Sequence, residues 1–122
     1  MGFGLVALAT GAVMIPAMSS QAQTAPAAPP VFNACRACHS VQPGGKSGLG
    51  PNLVGVVGRT AGTLAGFNYS PALKASKLKW DEKALDEYLA APTKKVPGSR
   101  MPISTPDPAK RAAIITYLKS VK

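Results

Sequence analysis

A length of 122 residues allows one domain, and a formal charge of +9 comes from 14 basic and 5 acidic residues. None of that charge lies in residues 1–35, so it all belongs to the rest of the chain and directs it towards acidic partners. Nucleic acid is not expected among them: the basic residues are scattered singly or in pairs, without an Arg-rich run or an aromatic-interleaved motif.

The chain opens on "FGLVALATGAVMIPAM" (3–18), which is uncharged and mostly apolar and contains Pro16. It falls short of the roughly 20 apolar residues of a membrane span and fits the apolar region of a secretory signal. Ser20-Gln21-Ala22 supplies a small-x-small site, so cleavage is expected near Ala22, although no Lys or Arg precedes the apolar run. Two readings stand for residues 1–22: a signal peptide, or an uncleaved anchor that holds the domain at a membrane. A core helix is disfavoured by Gly2, Gly4, Gly11 and Pro16. Residues 23–30, which include "TAPAAPP", read as an extended Pro/Ala-rich linker.

The domain therefore spans residues 31–122, a size that usually needs a staple, metal or cofactor to complete its core. A short helix is expected to lead into Cys35, and "SPALKAS" (70–76) is expected to form another turn or two. "WDEKALDEYLAAP" predicts a helix capped by Asp81, with a stripe of Leu85, Tyr88 and Leu89 and a stop at Pro92. "TPDPAKRAAIITYLKSVK" predicts one capped by Asp107, with Pro108 at its first position. Its stripe is Ile114, Ile115, Leu118 and Val121, and Lys119 and Lys122 suit its C-terminal end. Residues 42–67 are dense in glycine and lack strand alternation, and so long a loop needs something large to pack on. The fold class expected is all-α, with three to five helices and long loops around a core that is not protein.

"CRACH" (35–39) holds both cysteines and the only histidine of the chain. A disulfide between Cys35 and Cys38 would close a tight loop and staple almost nothing. A thioredoxin-like pair needs a βαβ context, and here a proline linker precedes and glycines follow. A zinc site needs four ligands where Cys and His together supply three. C-x-x-C-H is also the attachment signature of c-type haem, and that reading uses every residue. The two cysteine sulfurs form thioethers with the vinyl groups, and His39 ligates iron from one face. The haem then supplies the missing core and the surface for the glycine-rich loop, and its attachment agrees with export.

The other face of the iron needs a donor, and no second histidine exists. Methionine raises the reduction potential relative to a second imidazole. Of Met1, Met14, Met18 and Met101, only Met101 lies in the domain, so elimination selects it; the competing role is a core filler.

At this point the sequence resembles a class I cytochrome c of the mitochondrial and bacterial cytochrome c2 type. The resemblance runs from Val31 to Lys122 through "CRACHSV", "GPNLVGVVGR", "GFNYS", Trp80, "EYLAAP", "KKVPGSRMP" and "AIITYLK". It implies a small cytochrome c fold around one covalent haem c. It also implies roles for single positions. The Pro51 carbonyl accepts from His39 and strengthens it as a ligand. Tyr69, Trp80 and Arg59 bond or neutralise haem propionates, Tyr88 hydrogen-bonds near the Met101 sulfur, and Ser99 sits beside a propionate or an ordered water.

Two departures from the family stand out. "APAAPP" occupies the place of the usual N-terminal helix, so Val31 and Phe32 should face Ile114, Ile115, Tyr117 and Leu118 in a shortened contact of reduced stability. Ile103 stands where an aromatic is often found. The function implied is a soluble, exported one-electron carrier with no catalytic residues, monomeric and working in the periplasm, or on the membrane if the leader is retained. Lys46, Lys94, Lys95 and Arg100 would ring the haem edge. They would steer acidic docking sites on a bc1-type complex and on a terminal oxidase or reaction centre. The competing functions are a cytochrome subunit or dedicated acceptor of a periplasmic dehydrogenase, and a haem sensor should Met101 leave the iron.

Overall fold

The computed structural model describes residues 1–5, 9, 11–16 and 27–122. The described residues before 17 are exposed and carry no regular secondary structure, and the expected cleavage point at Ala22 falls outside the described residues. Among these, no helix is long and apolar enough to cross a membrane.

Five helices and no strand form among the described residues, with one isolated bridge between Thr60 and Lys79. A 3-10 turn, Pro30–Phe32, runs directly into α1, Asn33–Arg36. Pro71–Ser76 is α2, begun by Ser70, whose hydroxyl accepts from the Leu73 N–H at 3.2 Å. It ends on Lys77 in the left-handed region, φ 51°, the position where helices favour glycine. Glu82–Ala90 is α3, and the Asp81 carboxylate accepts from Ala84 N–H at 2.8 Å, as its sequence predicts. The helix stops before Pro92, as expected, and Pro92 also begins a separate turn, α4 (Pro92–Lys95), because a missing N–H and a fixed φ suit a first helical position. Pro108–Ser120 is α5, with the Asp107 carboxylate accepting from Ala109 N–H at 2.9 Å.

The apolar stripes meet. Leu85, Tyr88 and Leu89 of α3 and Ile114, Ile115 and Leu118 of α5 are all buried in one core, which the 3-10 turn closes from the N-terminal side. Phe32 is completely buried, and its ring meets Tyr117 edge-on at 4.7 Å. Burying this one aromatic contributes about 2–3 kcal/mol. The contact expected between Val31, Phe32 and the C-terminal helix therefore exists, and among the described residues Phe32 is its most buried member, with Val31 half-buried beside it.

Every acidic side chain is engaged within the fold. Asp81 and Asp107 cap helices; Glu82 pairs with Lys119, Glu87 with Lys83 and Lys95, and Asp86 with Arg111 at 2.7 Å. Three of these pairs tie one segment to another, and only Lys83–Glu87 stays within a single helix.

The glycine-rich loop is organised by Asn52, which is buried. Its amide nitrogen donates to the carbonyls of Gln42 (2.9 Å) and Gly45 (2.8 Å), and its amide oxygen accepts from Val54 N–H at 2.8 Å. Gly55 N–H donates to the Val121 carbonyl at 2.8 Å, which fastens the loop to the C-terminal end of α5.

Candidate functional site

The C-x-x-C-H residues form a single helical turn. Cys35 lies in α1, and its carbonyl accepts from the N–H of Cys38 (3.1 Å) and of His39 (2.9 Å). Both cysteines are half-buried, and no disulfide joins them. Burial pushes the Cys35 thiol above its ordinary value. Among the described residues, no group of three His, Cys, Asp or Glu side chains is arranged to hold a metal ion, so the zinc arrangement does not form.

His39 is oriented from behind. Its Nδ1 lies 2.7 Å from the Pro51 carbonyl oxygen, which can only accept, so Nδ1 carries the proton and Nε2 keeps its lone pair. Burial holds the imidazole below its ordinary pKa, which favours the neutral form that a metal requires. The ring lies flat against Gly50: a Cβ there would fall 2.6 Å from Nδ1 and 2.8 Å from Nε2. Gly50 N–H in turn donates to the Cys38 carbonyl at 2.9 Å, locking the loop to the attachment turn. A glycine that leaves room for the imidazole ring, a fixed tautomer and two cysteines without a disulfide on the preceding turn together fit a covalently held haem.

A second group of residues assembles around Met101. Tyr88 Oη and Ser99 Oγ share a hydrogen bond of 2.5 Å, and Ser99 Oγ accepts from Met101 N–H at 3.4 Å. Burial pushes the Tyr88 phenol up, with Ser99 opposing. Trp80 packs on Tyr88 with ring centroids 4.9 Å apart. The Tyr88 hydroxyl is thus linked to Met101 through Ser99. Met101 and Cys35, from opposite ends of the domain, pack against the same core, which brings the two groups of residues to one interior.

The remaining expected positions separate. Arg59 donates to the carbonyls of Val54 (3.2 Å) and Asn52 (3.1 Å) and braces the loop beneath His39. Tyr69 is buried, and its hydroxyl accepts from Leu64 N–H at 3.3 Å. Of the expected cationic ring, Lys46 and Lys94 are exposed, and Arg100 is exposed with a contact to the Asn68 carbonyl at 3.3 Å. Lys95 is half-buried, and its ammonium pairs with Glu87 of α3, which also faces Lys83. Ile103 and Leu49 are exposed apolar residues close in sequence to Met101 and Gly50 respectively. Gly50 and Asn52 were missed as contributors to the site, although they flank Pro51 in the run "GPN".

Residues 27–122 match the cytochrome c family. The chain belongs to that family. It is 53% identical over 95 residues to cytochrome c2 iso-2 of Magnetospirillum fulvum, covering 77% of this chain and 98% of that protein. It is 42% identical over 118 residues to cytochrome c2 of Blastochloris viridis, covering 96% of this chain and 89% of the relative. The solved structure of cytochrome cH from Methylobacterium extorquens superposes with a TM-score of 0.69 at 47% identity, over 74% of this chain and 91% of that one. The all-α cytochrome c fold is the one expected, and the chain is an electron carrier with one haem c attached through Cys35 and Cys38.

Proposed function

We propose that the chain moves single electrons with His39 and Met101 as the axial pair, and that it works outside the cytoplasm between larger redox complexes. When bound, the haem supplies the Fe(II)/Fe(III) couple. The protein's part is to hold two neutral donors still while that charge changes. The observation that carries the reading is the 2.7 Å contact between His39 Nδ1 and Pro51, which aims a neutral Nε2 inward from a turn bearing both thiols. For the second donor, Tyr88 and Ser99 brace the backbone of Met101. A thioether paired with an imidazole, in a low-dielectric interior, favours the reduced state over a bis-imidazole arrangement.

Tyr69 uses its phenol oxygen as an acceptor from Leu64 and so keeps its own proton to offer a propionate, in the role the family suggests. Trp80, buried on Tyr88, donates its backbone N–H to the Arg59 carbonyl at 2.9 Å, and both are assigned the propionate role that the family suggests. We read the chain as a carrier rather than an enzyme: with His39 and Met101 both holding the iron, no position would be left for a substrate. Lys46, Lys94 and Arg100 form the docking cations, with acidic sites on a bc1-type complex and a terminal oxidase or reaction centre as counterparts. Such encounters are fast, weak and salt-sensitive.

The test is the absorption spectrum of the purified ferric protein beside that of Met101→Ala. The weak long-wavelength band of methionine–Fe(III) ligation is expected in the parent and not in the variant. A parent without that band at neutral pH, binding carbon monoxide rapidly when reduced, would exclude the proposed ligand pair.

A further inference from the structure

The segment that follows Met101 is poor in backbone hydrogen bonds. Pro102, Pro106 and Pro108 have no N–H to give, and of residues 102–107 only Thr105 donates, to the Leu89 carbonyl at 2.7 Å. One side chain takes over. Arg111, on the first turns of α5 and almost enclosed, donates from one terminal nitrogen to the carbonyls of Pro106 (2.7 Å) and Thr105 (3.0 Å). Its Nε donates to Asp86 of α3 at 2.7 Å.

These contacts share a base. Upstream of Met101, Ser99 is held by Tyr88; downstream, Thr105 is held by Leu89, and Arg111 by Asp86. Tyr88, Leu89 and Asp86 all belong to α3, so the Met101 segment is a hoop pinned at both ends to one helix. The downstream pin has one backbone bond and a charge-assisted fork, and the fork is the stronger member.

We infer that Arg111 is a positioning residue for the axial methionine: it fixes the far end of the hoop and thereby sets how often the Met101 sulfur leaves the iron. The inference rests on the Met101 ligation proposed above. It concerns the lifetime of that bond, to which the closing experiment is directed.

The test uses the haem-loaded ferric protein and measures the rate at which imidazole binds, since the sixth position must first open. Arg111→Leu is expected to bind imidazole on the order of tenfold faster than the parent, Arg111→Lys by an intermediate factor, and Asp86→Asn by about threefold. Ile114→Val, a core change on the same helix that lowers thermal stability, is expected to leave the rate near that of the parent. Amide exchange at Thr105 should quicken in Arg111→Leu and not in Ile114→Val. Should Arg111→Leu fail to fold, Asp86→Asn and Arg111→Lys carry the test. Rates unchanged in the Arg111 and Asp86 variants, or raised equally by Ile114→Val, overturn the role of Arg111. A parent as fast as Met101→Ala overturns the ligation itself and this inference with it, and that outcome shows in the parent alone.

Discussion

The Nδ1 of His39 lies 2.7 Å from the carbonyl oxygen of Pro51, and Gly50 between them stands so close to the imidazole that no side chain could share the space. Orientation of the histidine is thus a property of backbone: a carbonyl supplies the acceptor and a missing Cβ supplies the clearance. Two substitutions at adjacent positions should behave in opposite ways. Gly50→Ala must push the ring or the loop aside and is expected to lower stability by about 2–4 kcal/mol and impair haem loading. Pro51→Ala keeps the carbonyl and is expected to load normally. Thermal unfolding and haem-to-protein ratios check both; equal damage from the two would sink the argument.

The Tyr88–Ser99 contact predicts energetic coupling. Tyr88→Phe should cost about 1 kcal/mol and Ser99→Ala at least as much, because it also removes the acceptor for Met101 N–H; the double variant should cost about as much as Ser99→Ala alone, since both remove the Tyr88–Ser99 bond. A double-mutant cycle in chemical denaturation measures the coupling. Strict additivity would show that the two hydroxyls act independently.

Lys77 closes α2 at φ 51°, a conformation that costs an L-residue with a Cβ and is free to glycine. Lys77→Gly is expected to be neutral or stabilising by up to about 1 kcal/mol, the strain relieved being offset by greater freedom of the unfolded chain. A clear fall in the unfolding midpoint would mean that the lysine stem does more than its exposure suggests.

Glu87 faces both Lys83 and Lys95, and its carboxyl is lowered from an ordinary 4.5 to about 2. A folded-state pKa below the unfolded one means the contribution is present above the unfolded value. It is lost as pH falls from about 4.5 towards 2. Glu87→Gln should therefore flatten the acid limb of the stability profile over that interval and leave stability differences above it constant. An acid limb identical to the parent's would contradict the pairing; high salt should weaken the effect, because the group is exposed.

The two adjacent lysines of α4 should separate docking from folding. Lys94→Ala is expected to slow association with an acidic redox partner several-fold at low salt and scarcely at high salt. Lys95→Ala should leave the salt dependence nearly intact and instead loosen the α3–α4 contact. Stopped-flow electron transfer at two ionic strengths distinguishes them, and a larger kinetic effect from Lys95 would reverse the assignment.

What could be read in advance follows from the range of the forces involved. Asp81 and Asp107 announce α3 and α5 because capping is decided within three residues, and the stripes they open onto repeat at helical spacing. Cys35, Cys38 and His39 are legible for the same reason, since one turn contains them. α4 was hidden because Pro92 serves equally as a stop and as a first residue. The pairing of Lys95 with Glu87 could not be read in the same way, because its partner lies on a neighbouring helix. Asn52 and Arg111 were invisible for a further reason. Much of their work is done on main-chain groups, and these bear no mark in a sequence.

The five acids of the fold are all spoken for, three in ion pairs and two at helix starts. Surface charge and architecture are therefore not independent on the acidic side: exchanging any carboxylate changes both together. The lysines carry no such double duty at Lys46 or Lys94. Adaptation of this carrier to a different partner has an open route through cations gained or lost, and a nearly closed one through acids.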